Sequence, residues 1–298
     1  MDRTLIYKIN EKDSPCTVES FLKKQGYSRQ IIIQLKKSPL GILKNGSWAY
    51  VKTPLLPGDI LGIFIPETDP SDSILPVPLP LDIQYEDEDI LVVNKPADMP
   101  VHPSMNNHGN TLANAAAHYY LDAGSPFVFR CINRLDRDTT GLLIIAKNAL
   151  AASILSSQMK HREIHRTYLA LCKGRLPSSF GTVDAPIGRK AGSALERCVD
   201  FVNGEQAVTH YEVLETSGSL SLVRLCLETG RTHQIRIHMG YLGAPLPGDY
   251  LYNPDYSQIS RTALHSAELE FSHPVTEKLL HFTAPLPKDM VNALHSGV

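Results

Sequence analysis

Read for the spacing of its apolar positions, the chain opens with two short helices. In T-V-E-S-F-L-K-K-Q-G, Val18, Phe21 and Leu22 share a helical face, Thr17 supplies a capping hydroxyl and Gly26 ends the run. Ser28 caps R-Q-I-I-I-Q-L-K-K, where Ile31, Ile32 and Leu35 form an apolar stripe beside Arg29, Lys36 and Lys37. Asn45-Gly46 reads as a tight hairpin turn, and P-G-D-I-L-G-I-F-I starts a strand. Ile90 to Asn94, Gly141 to Lys147, Tyr168 to Cys172, Val208 to Leu214 and Leu220 to Leu227 are apolar or alternating runs of strand length. Helices are predicted from about Thr111 to Leu121 and after the cap Asn148, where Leu150, Ile154, Leu155 and Met159 form a stripe. Strands outnumber helices and often follow one another directly. That predicts an α+β fold with a mixed, largely antiparallel sheet.

The pattern breaks at residues 67–81, E-T-D-P-S-D-S-I-L-P-V-P-L-P-L. Its four prolines remove backbone donors and favour extended geometry, as in a semi-rigid linker. It divides a small α-β domain, 1–66, from a larger domain, 82–298, in keeping with the two domains that 298 residues suggest. The formal charge of −2 excludes a globally basic nucleic-acid coat but leaves local basic patches open. No apolar run approaches a membrane span, and the first residues lack the pattern of a secretory signal. The five cysteines form no C-x-x-C pair, which argues against a zinc ribbon or disulfide framework. These features lead us to expect a soluble cytoplasmic protein, monomeric and with no membrane partner.

Two stretches carry candidate chemistry. In C-I-N-R-L-D-R-D-T-T-G-L-L-I-I-A-K, 131–147, Asp136 and Asp138 stand among Arg134 and Arg137 just before a buried-looking strand. Neighbouring guanidinium groups favour an ionised carboxylate, ready as nucleophile or base, although a salt-bridged turn would use the same residues. In L-E-T-G-R-T-H-Q-I-R-I-H-M-G, 227–240, Gly230 allows an unusual backbone angle and Thr232 caps a helix bearing Ile235, Met239 and Leu242. Arg231 then stands at the helix entrance, suited to a carboxylate or phosphate, or to a structural ion pair between domains.

Taken with its context, N-R-L-D-R-D-T-T-G resembles the catalytic motif of the large-subunit ribosomal RNA type of pseudouridine synthase. Four further stretches agree in the same order: 83–103 (I-Q-Y-E-D-E-D-I-L-V-V-N-K-P-A-D-M-P-V-H-P), R-T-Y-L-A-L-C-K-G at 166–174, 227–252 and R-T-A-L-H-S-A-E-L-E-F-S-H-P at 261–274. The layout of the first segment resembles a small RNA-binding module shared by a small-subunit ribosomal protein and many RNA-modifying enzymes. The resemblance implies conversion of uridine to pseudouridine in RNA, ribosomal RNA first and transfer RNA second, without cofactor or metal. It implies Asp136 as the catalytic aspartate, Tyr168 as the active-site tyrosine, and Arg231 as the arginine paired with Asp136. It further implies Arg134 as the residue filling the space of a flipped-out base and Leu264 as the apolar floor beneath uracil. Asn133, Thr140 and Asp98 depart from the family's usual His, Ser and Gly. Asn133 and Thr140 are expected to act in RNA contacts. A non-catalytic RNA-binding or ribosome-assembly protein of the same fold is the alternative.

Other features carry blander readings. His161 and His165, with Glu163 between them, would share a helical face at metal-ligand spacing, but the order is not H-E-x-x-H and a surface pair is expected. His233 and His238 are expected to support the Arg231 turn or the helix packing. Trp48 is expected to be core or turn cover, and Glu86 to Asp89 a solvated strand entrance. Arg134, Arg137, Lys160, Arg162, Arg166, Arg189, Lys190, Arg231 and Arg236 cluster in or near the motifs, so one basic cleft is expected on a nearly neutral chain.

Overall fold

The structure, a computed structural model, describes residues 1–67, 74–104, 107–122, 124 and 127–295. The first part of the expected linker, residues 68–73, lies outside the described residues.

The N-terminal unit runs β1 (Arg3–Lys8), β2 (Cys16–Thr17), α1 (Val18–Lys24), α2 (Arg29–Leu35), β3 (Ile42–Lys44), β4 (Ser47–Trp48), β5 (Pro54–Leu55) and β6 (Ile60–Ile65). Thr17 and Ser20 cap α1 reciprocally, and Ser28 accepts from the Ile31 amide at the start of α2. Asn45 and Gly46, at φ 51° and 80°, turn β3 into β4 in the left-handed geometry that a two-residue hairpin favours. A four-stranded sheet in the order β1-β6-β3-β4 packs against both helices around Leu22, Leu35, Leu61 and Ile63. β1 was not foreseen. It alternates with Leu5 alone buried, and R-T-L-I-Y-K offers little to separate strand from coil.

The larger unit continues with β7 (Ile83–Glu86), β8 (Ile90–Lys95), α3 (Leu112–Asp122), β9 (Arg130–Cys131), β10 (Thr140–Ala146), α4 (Ala149–Lys160), β11 (His165–Lys173) and β12 (Phe180–Asp184). There follow β13 (Ile187–Arg189), β14 (Arg197–Val199), β15 (Val208–Ser217), β16 (Leu220–Leu227), α5 (Gln234–Tyr241), β17 (Leu264–Ser272), β18 (Leu279–Thr283) and α6 (Lys288–His295). The main sheet runs β12-β15-β16-β11-β17-β10-β8-β7, with β18 on β17 and β9 on β10. Its pairs are antiparallel except β10 with β17. This is the expected α+β architecture.

β10 is buried along its whole length because both faces are covered. Leu143 and Ile145 join the core with α3 and α5, whereas Leu142 and Ile144 join the core with α4. Its entrance demands glycine. Gly141 has φ 110°, and a Cβ there would lie 2.2 Å from the Ser266 carbonyl oxygen of β17. That close crossing brings the loop before β10 beside Leu264.

The two units touch. Arg3 holds Asp89 through two hydrogen bonds of 2.8 and 3.0 Å, and Ser153 of α4 donates to the Gly26 carbonyl at 2.9 Å. Residues 74–81 are not free spacer: Asn114 of α3 donates to Leu75 O, and Ile74, Leu79 and Leu81 pack on the main core. The acidic run is solvated only in part: Glu88 is exposed, but its neighbours are engaged. Asp89 is buried against Arg3 and Asn148, Asp87 accepts the Asp89 and Ile90 amides, and Glu86 meets Lys147, Tyr119 and Tyr120.

Candidate active site

The loop between β9 and β10 is fastened from beneath. Asn133 is buried; its side chain accepts from Ile144 N at 2.8 Å and donates to Leu142 O at 3.3 Å. Lys95, at the end of β8, is also buried and donates to the carbonyls of Pro96, Met99 and Arg137 at 2.7, 2.8 and 2.9 Å. Burial lowers its ammonium to about 7. So anchored, the loop presents Asp136 with its carboxylate half-exposed.

The partner of that carboxylate is Arg236, not Arg231. Arg236 Nη1 donates to Asp136 Oδ2 at 2.7 Å, while its Nε and Nη2 hold both oxygens of Asp249, each at 2.7 Å. Arg236 and Asp249 are almost wholly buried, and the guanidinium lies 4.9 Å from the Tyr252 ring centre. Burial works against the charge on Arg236, but hydrogen bonds and charge from Asp249 and Asp136 prevail and raise its pKa. Asp249 is steadied by the amides of Leu251 and Tyr252.

The reason lies in the turn. The left-handed residue is His233, at φ 58°, and not Gly230; His233, not Thr232, is the N-cap of α5, without a side-chain cap bond. Gln234 pins the turn by accepting from Arg231 N at 2.9 Å and from the Thr229 hydroxyl at 2.8 Å. α5 therefore starts later than expected, which turns Arg236 inward. Arg231 remains at the pocket rim, where Nε donates to Gln206 O and Nη1 pairs with Glu205. At Gly230 a Cβ would sit 3.2 Å from Arg166 Nη1, a close approach that the arginine side chain could relieve by a small shift.

Around Asp136, Arg134, Tyr168, Arg231, Arg236 and Leu264 line a pocket of about 70 Å³, with Leu227 and Ile235 adding apolar wall. Burial raises the Tyr168 phenol, Asp136 adds to that rise and Arg166 opposes it. His233 Nε2 lies 3.8 Å from Asp136 Oδ2, and its Nδ1 meets the Tyr252 hydroxyl at 2.8 Å. Burial lowers its imidazole, with Asp136 opposing, so it is neutral at pH 7. A groove of about 600 Å³ shares Arg134, Asp136, Tyr168 and Arg231 and adds Lys160, Arg162 and Arg166. The basic residues are thus only partly gathered: Lys190 pairs with Glu196 and Arg137 with Asp138, while Arg236 is sequestered.

Several expected contacts lie elsewhere. Asn133 borders the groove, but its amide is committed to β10. Thr140 is buried against His265 Nδ1 at 2.8 Å, so its hydroxyl does not face the pocket. Asp98 has φ 53°, which explains a residue that tolerates left-handed backbone where the family has Gly. His161 ends α4 and His165 begins β11, so they share no helical face. Trp48 is exposed and meets Tyr50 edge-on at 4.2 Å, outside the core. His238 is the expected packing residue, bonded to Thr209 and Ala185 O. Asp249 and Tyr252 were missed as site residues. An acid in a tyrosine-flanked turn 13 residues after Arg236 was their signal.

A fixed carboxylate, a phenol and a neutral imidazole at a small, partly apolar pocket beside a cationic groove suit chemistry on one planar base of a polyanion. Residues 89–241 match the RNA pseudouridylate synthase family, and the chain belongs to that family. It is 43% identical over 274 residues to the uncharacterized RNA pseudouridine synthase YjbO of Bacillus subtilis, covering 92% of this chain and 96% of that one. It is 43% identical over 227 residues to ribosomal large subunit pseudouridine synthase D of Vibrio parahaemolyticus, covering 72% and 69%. Among solved structures, human RNA pseudouridylate synthase domain containing 1 aligns with a TM-score of 0.58 at 29% identity over 73% of this chain and 86% of that one. The chain is an RNA pseudouridine synthase, converting uridine to pseudouridine within RNA.

Proposed function

We propose that Asp136 is the nucleophile of this isomerisation and that its targets are particular uridines of ribosomal RNA. The supporting observation is the single guanidinium shared by Asp136 and the buried Asp249, which holds the reactive carboxylate in place and aims it. In the reaction the N1–C1′ bond breaks, the uracil turns, and C5 bonds to C1′. C5 then loses a proton and N1 carries one, so the product is an isomer and no redox partner is consumed. Attack by the carboxylate, on ribose C1′ or on the base ring, starts the sequence, and the bond so formed breaks again, as C5 displaces it from C1′ or as it is eliminated from the ring, which returns the carboxylate. Leu264 and Tyr168 hold the ring. The Tyr168 phenol, kept protonated by burial, is a hydrogen-bond donor before it is a base.

Arg134, exposed at the pocket lip, fills the gap left by the extruded nucleotide. Arg231 acts at the rim on the RNA backbone instead of on Asp136. Residues 1–66 form an RNA-binding domain, 67–81 a connector and 82–298 the catalytic domain, together a cytoplasmic monomer. The name of the Vibrio relative supports a ribosomal target. The test is tritium release from RNA labelled at uridine C5: Asp136→Asn is expected to abolish release while retaining RNA affinity. Persisting release refutes the nucleophile, and release from transfer RNA alone refutes the target. Failure of the unaltered chain to release tritium from any cellular RNA, with RNA still bound, supports a binding-only protein.

A further inference from the structure

Between β14 and β15 the chain makes a tight turn whose tip carries two of its most exposed apolar side chains, Phe201 at 67% and Val202 at 88% exposure. The turn is firmly built. Asp200 Oδ1 accepts the amides of Val202 and Asn203 at 2.9 and 3.0 Å, Asp200 O accepts from Gly204 N at 3.0 Å, and Asp200 N donates to Pro186 O at 2.8 Å. A Cβ on Gly204 would lie 2.3 Å from Asp200 O, so the turn closes only around glycine. Its acid thus serves the turn, and its apolar residues point outward.

The turn is also tied to the pocket. Glu205 pairs with Arg231, and Gln206 O accepts from Arg231 Nε, so the far end of the turn holds a residue of the pocket wall. Glu205 is three Cα steps along the chain from Val202, which limits their Cα separation to about 11 Å. Beneath, Ile187, Ala207 and Ile237 form a small apolar cluster with Val199 and Tyr252 against it, joining the base of the turn to the helix that carries Arg236. Arg197 N donates to the same Tyr252 hydroxyl that meets His233. The tip is therefore a rigid projection from the rim of a site that receives a base extruded from RNA.

Exposed apolar residues on a rigid tip stay bare in water unless something covers them. Proteins that distort nucleic acid insert such residues between base steps, and a target uridine must leave its stack at a cost of a few kcal/mol. We propose that Phe201 and Val202 are a wedge that enters the base stack of the RNA beside the uridine taken into the pocket. The exposed Arg189, at the end of the adjoining β13, meets the flanking phosphates. The proposal rests on the pocket around Asp136 being where the uridine is received.

Two measurements test it on the full chain with total cellular RNA from a strain lacking the protein. In the first, RNA labelled at uridine C5 is offered to Phe201→Ala/Val202→Ala and to Phe201→Tyr. The double variant is expected to keep its melting temperature and to release tritium about tenfold more slowly, the size of one lost stacking contact, while the tyrosine variant keeps the rate. In the second, Trp48→Phe/Phe201→Trp makes position 201 the chain's one tryptophan, and its emission is expected to be quenched as RNA binds. Full activity of the double alanine variant overturns the proposal, as does unchanged emission when filter binding shows the RNA bound. Asp136→Asn is assayed alongside: tritium release from it overturns the pocket assignment, a failure separate from that of the wedge.

Discussion

Arg231 and Arg236 lie five residues apart in one motif and have opposite fates. Arg236 is buried and binds two carboxylates through three hydrogen bonds. Arg231 stands at the rim, its side chain 39% exposed, against a Glu205 that is 70% exposed. The physical difference is large. A partly desolvated guanidinium with planar, bidentate geometry fixes its partner in place, whereas an exposed pair is screened and contributes at most about 1 kcal/mol. Position relative to one left-handed residue, His233, decides which arginine serves the carboxylate.

The largest effect expected follows from Arg236→Ala. It leaves the buried Asp249 without its cation, so unfolding by denaturant should show a loss of about 3–5 kcal/mol, the range for breaking a buried pair. A loss below about 1 kcal/mol would make the two arginines equivalent and break the contrast.

An effect of intermediate size concerns another buried contact near the loop. His265 Nε2 donates to Ala284 O, its Nδ1 meets the Thr140 hydroxyl, and burial lowers its pKa to about 4. Between the unfolded value near 6.5 and about 4 the unfolded chain binds the additional proton, so stability present above pH 6.5 falls as the pH drops through that window. The loss should be on the order of 3 kcal/mol and should be absent from His265→Gln; an unchanged pH profile in that variant counts against the assignment.

The smallest effect belongs to Arg231→Ala. Its stability cost should stay within about 1 kcal/mol, because the pair it breaks is exposed. RNA binding should weaken, and the dependence of affinity on salt should become shallower by about one phosphate contact. A large stability loss with an unchanged salt slope would show Arg231 to be structural.

Local signals were the most legible part of the sequence. Thr17, Ser28 and Asn148 cap the helices expected of them because a capping side chain acts within three residues. Asn45-Gly46 and the seven buried residues of β10 were equally plain. Asp136, Tyr168, Leu264 and Arg134 do line one pocket. What failed depends on helix phase or on long-range partners. The phase of α5 follows from His233, a non-glycine residue in a left-handed conformation that no local pattern announces. Asn133 and Thr140 are polar residues in a motif and read as RNA contacts, yet each is used up inside by a residue far along the chain or across the sheet. Asp87 and Asp89 read as solvated because their partners, His273 and Arg3, lie nearly 200 and 90 residues away.

On the proposed function, Asp136 works through Arg236 and not Arg231. Tritium release by Arg236→Lys and Arg231→Lys, measured side by side on the same labelled RNA, tests it most directly, because both variants keep the charge and only one loses a shared fork. Arg236→Lys should lose at least about a hundredfold in rate, in line with a misaligned reactive group, and Arg231→Lys should remain within about fivefold of the unaltered chain. The reverse order would contradict the account.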